Sequence, residues 1–111
     1  MIVDLLYFQG CPNHEPARIL VQSVLAENGI EADIREIEIT NVMDAQAQRF
    51  LGSPTVRVDG VDVDSSARAR TQFGLMCRVY REGHRATSVP TRDMIMHALR
   101  RAVGELGKSD G

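Results

Sequence analysis

Residues 2–8, IVDLLYF, are apolar almost without interruption and stop at a turn containing Gly10. No other stretch restricts the fold as much. A strand that leaves one face to water alternates, whereas a run like this suits a central strand covered on both faces. Other elements must therefore lie above it and below it. The next segment provides one cover. Ala17, Leu20, Val21, Val24 and Leu25 keep the i, i+3, i+4 rhythm of an amphipathic helix, Ile19 widens the stripe, and Gly29 stands where a helix ends in the left-handed region. EADIREIEI, residues 31–39, is β-branched and mostly alternating. Its apolar phase changes between Ile34 and Ile37, which predicts an outer strand with a bulge or an early end.

Thr40 or Asn41 can cap a short second helix that carries Ala47, Phe50 and Leu51 and stops at Gly52. SPTVRVDGVDVD, residues 53–64, reads as two strands around Asp59-Gly60, the strongest hairpin signal in the chain. Residues 65–90 are the least periodic part, and CRVYR, 77–81, is the stretch within them that can form a short strand. Met94, Ile95, Ala98, Leu99, Ala102, Val103 and Leu106 then trace one face of a helix capped near Thr91 and closed by Gly107. The remaining tail, 108–111, is expected to be loose. The order is β-α-β-α-β-β-α. A parallel pair needs a right-handed crossover and the hairpin must add antiparallel at its other side. The expected fold class is α/β, a four-stranded mixed sheet with helices on both faces.

Length and charge narrow the function classes. At 111 residues the chain holds one core, so 1–107 is read as a single domain. The formal net charge of −2 gives no general pull toward nucleic acid or an anionic membrane. No apolar run approaches the length of a membrane span. The N-terminal stretch lacks a basic leader, carries Asp4 and has no small-residue cleavage pattern, so a cytoplasmic location is expected. In a reducing compartment a permanent bridge between the two cysteines, Cys11 and Cys77, is not expected, and reactive or metal-binding roles gain weight.

Three features together resemble the thioredoxin-like superfamily: the first strand running into Gly10-Cys11-Pro12, the Ser53-Pro54-Thr55 opening of the third strand, and the terminal helix. More narrowly, GCPNHEPA, FLGSPTVRVDG and FGLMCRVYR are similar to a group of small bacterial thioredoxin-like proteins often labelled alkylmercury lyase. The resemblance implies the thioredoxin/glutaredoxin arrangement. It also implies a reactive cysteine at the start of the first helix and a cis-proline facing it, and Cys11 and Pro54 stand at those places. One departure matters. His14 replaces the second thiol of Cys-x-x-Cys, so dithiol chemistry within the motif is not available.

The chemistry expected of Cys11 follows from its thiolate, which helix N-termini and nearby cations favour. Two registers are open: Cys11 as the N-cap with Pro12 at the first helical position, or Asn13 as the cap with Pro16 in the first turn and Cys11 slightly outside the helix field. His14 is either a partner for the sulfur or a surface residue. Ser53, Pro54 and Thr55, with Pro12, would shape the binding of an extended thiol ligand. Cys77 follows a loop that can fold over the same sheet edge, so a transient Cys11–Cys77 disulfide is allowed if the Cα atoms come within about 7 Å. The rival is a CRVYR strand that buries Cys77 and Val79 and leaves both arginines solvated. The two sulfurs, with His14, could instead hold a soft ion such as Hg²⁺ or Cu⁺; organomercurial cleavage would also need an acid, for which Asp64 is conceivable. Arg68, Arg70, Arg78, Arg81 and Arg85 crowd the irregular segment and could hold an anionic partner such as the carboxylates of a glutathione-like thiol. No resident cofactor or metal is expected. The expected partners are a small thiol, disulfide or electrophile, or a second protein.

Overall fold

The computed structural model describes residues 1–109, excepting the side chains of 105–109. Its core is a four-stranded mixed sheet. The elements are β1 (Ile2–Tyr7), α1 (His14–Glu27), β2 (Asp33–Glu38), α2 (Val42–Ala47), β3 (Thr55–Val58), β4 (Val61–Asp62), β5 (Tyr80–Glu82), β6 (Arg85–Thr87) and α3 (Arg92–Ser109). The strand order is β2-β1-β3-β4, with β1 and β2 parallel and the other pairs antiparallel. The strand with the continuous apolar run is thus central, and Val3 to Leu6 are buried. Side chains alternate across the pleat. Val3 and Leu5 pack with α1 and α3 on one face, and Leu6 packs with Ala45 and Phe50 beside α2 on the other.

The phase change in β2 has a different cause from the one expected. The strand pairs with β1 without a bulge from Ile2–Asp33 to Tyr7–Glu38. It is an edge strand that serves both faces: Ile34 packs toward the α1/α3 core and Ile37 toward the α2 core. The central strand also carries a carboxylate. Asp4 is buried, takes two hydrogen bonds from Arg35 of β2 at 2.8 and 3.2 Å, and lies opposite Arg57 of β3, which in turn lies opposite Asp62 of β4. The row Arg35–Asp4–Arg57–Asp62 alternates in charge across the whole sheet. Such cross-strand pairing makes a buried acid tolerable in an apolar strand.

The hairpin forms at Asp59-Gly60, both with positive φ (48° and 84°), the geometry of the tight turns that match strand twist. Helix α1 ends at Asn28 and Gly29 (φ 62°), with Ile30 N–H bonded to Leu25 C=O at 3.0 Å. Ile19 does not join its buried stripe; it is 55% exposed. Asn41, not Thr40, caps α2, its side chain accepting from Asp44 N–H at 2.8 Å. That helix stops at Ala47, so Phe50 is buried from the turn beyond it. Helix α3 runs through Gly107 to Ser109 instead of closing there. Val103 is 46% exposed rather than core, and Leu106 falls among the side chains not described. The hairpin β5–β6 turns at Gly83 (φ 60°). Among the described residues no helix is long and apolar enough to cross a membrane.

Candidate functional site

The chain leaves β1 at Tyr7 and turns through Gln9 and Gly10 (φ 89°), and Cys11 N–H closes the turn on Phe8 C=O at 3.2 Å. Cys11 is 8% exposed, in a turn whose Gln9, Gly10 and Pro12 are exposed. Asn13 is the N-cap residue of α1, so of the two open registers the one with Pro16 in the first turn is found. Pro12 therefore lies ahead of the helix, and Cys11 lies two residues before the cap, at the fringe of a dipole effect confined to the first turn.

His14 opens α1, and its contacts are with the sheet. Its ring stacks on Tyr7 with centroids 3.6 Å apart and planes 8° from parallel, and Nε2 hydrogen-bonds Glu36 Oε1 at 2.8 Å. Arg18 joins the same group, with Nε 3.5 Å from Glu36 and Nη2 2.8 Å from Glu15. Of the two roles open to it, partner of the sulfur or surface residue, the contacts of His14 show neither directly; its ring fastens the start of α1 to β1 and β2.

Ser53 is the residue on which the other parts converge. It is fully buried and the Ser53–Pro54 peptide is cis. Its Oγ accepts from Phe8 N–H at 3.4 Å, at the base of the Cys11 turn. Its backbone N–H donates to Met76 C=O at 2.8 Å and its C=O accepts from Arg78 N–H at 3.0 Å, which makes Cys77 its parallel bridge partner. Gly52 permits this close approach: a Cβ there would stand 3.0 Å from Met76 O and 3.2 Å from Arg78 Cα, and the residue has φ 120°. Ser53 therefore ties together the two segments that carry the thiols. Both cysteines are free, Cys11 buried and Cys77 exposed. The remaining residues of this opening point inward. Pro54 is buried, and its C=O accepts from Tyr80 Oη at 2.6 Å. Thr55 is buried and donates to Gly52 C=O at 2.6 Å.

Arg78 is not solvated, and its guanidinium is engaged inside the protein. It is 3% exposed. Its Nη1 and Nη2 donate to Asp62 at 2.7 and 2.9 Å, Nη1 also donates to Thr55 Oγ1 at 3.1 Å, and the guanidinium lies 4.4 Å from the Tyr80 ring centroid. Burial pulls its pKa down, but the hydrogen bonds to Asp62, together with the surrounding charges, hold it above the ordinary value. The rival reading of CRVYR, a strand over 77–81 that buries Cys77 and Val79, is consequently overturned: β5 begins only at Tyr80, and the phase is reversed. Arg78 and Tyr80 are inside, and Cys77 and Val79 are outside. Asp64 is spent locally, accepting from Ser66 N–H and Oγ at 3.0 and 2.6 Å. The roles of Ser53, Asp62 and Tyr80 were missed from sequence. For Asp62 the available signal was the excess of arginine over acid in residues 65–90, since any of those arginines that becomes buried takes a carboxylate from elsewhere in the chain.

Among the described residues no three His, Cys, Asp or Glu side chains gather as a metal cluster. Comparison of the chain with protein-family models, with curated proteins and with solved structures finds no match.

Proposed function

We propose that the chain is a thioredoxin-like thiol protein that carries out thiol–disulfide exchange, or detoxifies thiol-reactive compounds, through Cys11 with Cys77 as the resolving thiol. What supports the fold part of this reading is the β2-β1-β3-β4 order, with two helices on one face and one on the other, and a cysteine turn ahead of the first helix. The single observation that carries the chemistry is Ser53, whose side chain holds the Cys11 turn while its backbone holds the Cys77 segment. Two reduced sulfurs on segments joined through one residue suit a relay.

In that relay the Cys11 thiolate attacks one sulfur of a disulfide, forming a mixed disulfide and expelling the other half as a thiolate that takes up a proton. The Cys77 thiolate then attacks the Cys11 sulfur and releases the second half. The substrate gains two electrons and two protons, and the protein is left with a Cys11–Cys77 disulfide that an external thiol reductant must reopen. The segment around Cys77, with Leu75, Met76 and Val79 also exposed, is open to a substrate.

The test is mass spectrometry of the protein after one equivalent of a disulfide-forming oxidant. A Cys11–Cys77 link formed within single molecules is the expected product. Oxidation confined to Cys77, with Cys11 still alkylatable on unfolding, would remove the relay. The soft-metal alternative has less support, because among the described residues Cys11, His14 and Cys77 do not gather as a three-ligand cluster.

A further inference from the structure

Four arginines converge away from both thiols. Beside β3 and β4 a cleft of about 270 Å³ is lined by Arg49, Arg57, Arg68 and Arg70, together with Asp62 and Phe73; neither cysteine reaches it. Most of these guanidinium groups are held by neutral partners. Arg57 Nη2 donates to the C=O groups of Gln48 and Arg49 at 2.7 and 2.9 Å. Arg68 donates through Nε and Nη2 to Asp62 C=O at 3.2 and 3.0 Å. Arg49 lies over the Phe73 ring, 5.1 Å from its centroid. Arg70 has a carboxylate, Asp64, at 3.9 Å. The acid on the cleft wall, Asp62, already receives both terminal nitrogens of Arg78.

Carbonyls and a ring orient Arg57, Arg68 and Arg49, while the nearby carboxylates, Asp62 opposite Arg57 in the sheet and Asp64 beside Arg70, offset only part of the four positive charges. The cleft therefore concentrates positive potential in a concave, partly desolvated space. Burial holds the Arg57 pKa below its ordinary value, and Arg78 and Arg49 push the same way against Asp62 and Asp4. An anion seated beside Arg57 would add to the support that Asp62 and Asp4 give the charged form against burial. A guanidinium presents a planar fork that matches phosphate oxygens two at a time. A single carboxylate is poorly matched to four arginines, whereas a phosphate group brings about −1.5 to −2 charges and three acceptor oxygens. A small concave cleft on a chain of net charge −2 is also unlike the long basic stripe that follows a nucleic-acid backbone.

We propose that this cleft binds a small phosphate-bearing molecule, a phosphate monoester or a diphosphate, through Arg49, Arg57, Arg68 and Arg70. The inference is independent of the thiol chemistry. Calorimetric titration of the full chain with pyrophosphate, inorganic phosphate and adenosine monophosphate tests it. One saturable site is expected, weakening as salt is raised. Arg49→Ala and Arg70→Ala remove the two least tethered groups and should each weaken binding roughly tenfold, the loss of one charge-assisted hydrogen bond. Circular dichroism checks that both variants fold, and Arg85→Ala on the exposed β6 is the control that leaves affinity unchanged. Tighter binding of pyrophosphate assigns the diphosphate class, and tighter binding of the nucleotide assigns the monoester. Failure of all three probes to bind at millimolar concentration overturns the proposal. So does an affinity that ignores Arg49→Ala and Arg70→Ala, or one that falls equally with Arg85→Ala.

Discussion

Replacing Arg78 by methionine removes the buried cation while keeping most of the stem's volume. Both partners of the pair are nearly sealed, with side chains 1% and 9% exposed, and two hydrogen bonds of 2.7 and 2.9 Å join them. Taking away one member of such a pair leaves an uncompensated charge inside the protein and costs about 3–5 kcal/mol. Lost contact with the Tyr80 ring adds up to about 1 kcal/mol. Against this, Arg78 Nε is buried without a hydrogen-bond partner, and removing that donor returns roughly 1 kcal/mol. The net expectation is a loss of about 2–5 kcal/mol, a large share of the stability of an ordinary domain. Urea unfolding followed by circular dichroism measures it. The double variant Arg78→Met/Asp62→Leu, apolar at both positions, should recover most of the loss. Because Arg78 adjoins Cys77, the single variant should also raise the alkylation rate of Cys77 in the folded state. A single-variant loss under about 1 kcal/mol, or a double variant no better than the single, would refute the view that this pair anchors the Cys77 segment.

Tyr80 gives a pH dependence of definite sign. Burial raises its pKa above the ordinary 10.0, so the unfolded chain ionises first; its contribution is intact below pH 10.0 and is lost as the pH climbs beyond it. Tyr80→Phe should remove that alkaline decline and cost about 1 kcal/mol at neutral pH through the lost bond to Pro54 C=O, as read from urea midpoints across pH. Gly52→Ala should destabilise by about 1–3 kcal/mol, because a side chain at φ 120° is strained and would press on Met76 and Arg78; proteolysis between 70 and 79 should accelerate. His14→Gln should leave the alkylation rate of Cys11 at neutral pH within about twofold, while loosening the start of α1 by about 0.5–1.5 kcal/mol in hydrogen exchange, since the ring's partners are Tyr7 and Glu36.

The parts of the fold legible in the sequence are those specified by neighbouring residues. A continuous apolar run placed β1 at the centre of the sheet, and Asp59-Gly60 placed the hairpin, because both signals are local. The parts misread depend on partners distant in the chain. Arg78 looks like a surface residue until Asp62, sixteen positions earlier, is folded against it. Its burial reverses the phase of everything from Cys77 to Tyr80. Likewise the shifted phase of Ile34 and Ile37 suggests a bulge until β2 is seen as an edge that closes two cores. At the candidate site, the cis peptide before Pro54 and the turn position of Cys11, though not its place at the helix start, agree with what the motifs imply. The link through Ser53 was not legible, since a buried serine has no sequence signature. His14 was assigned by proximity in sequence to Cys11, whereas stacking on Tyr7 determines where its ring goes.

The most direct test of the thiol relay is a redox equilibrium titration of the folded protein against mixtures of reduced and oxidised dithiothreitol, counting alkylatable thiols at each point. The account predicts one two-electron transition in which Cys11 and Cys77 disappear together, and its loss in Cys77→Ser. Both thiols remaining alkylatable across the whole range, or disappearing independently, would contradict it.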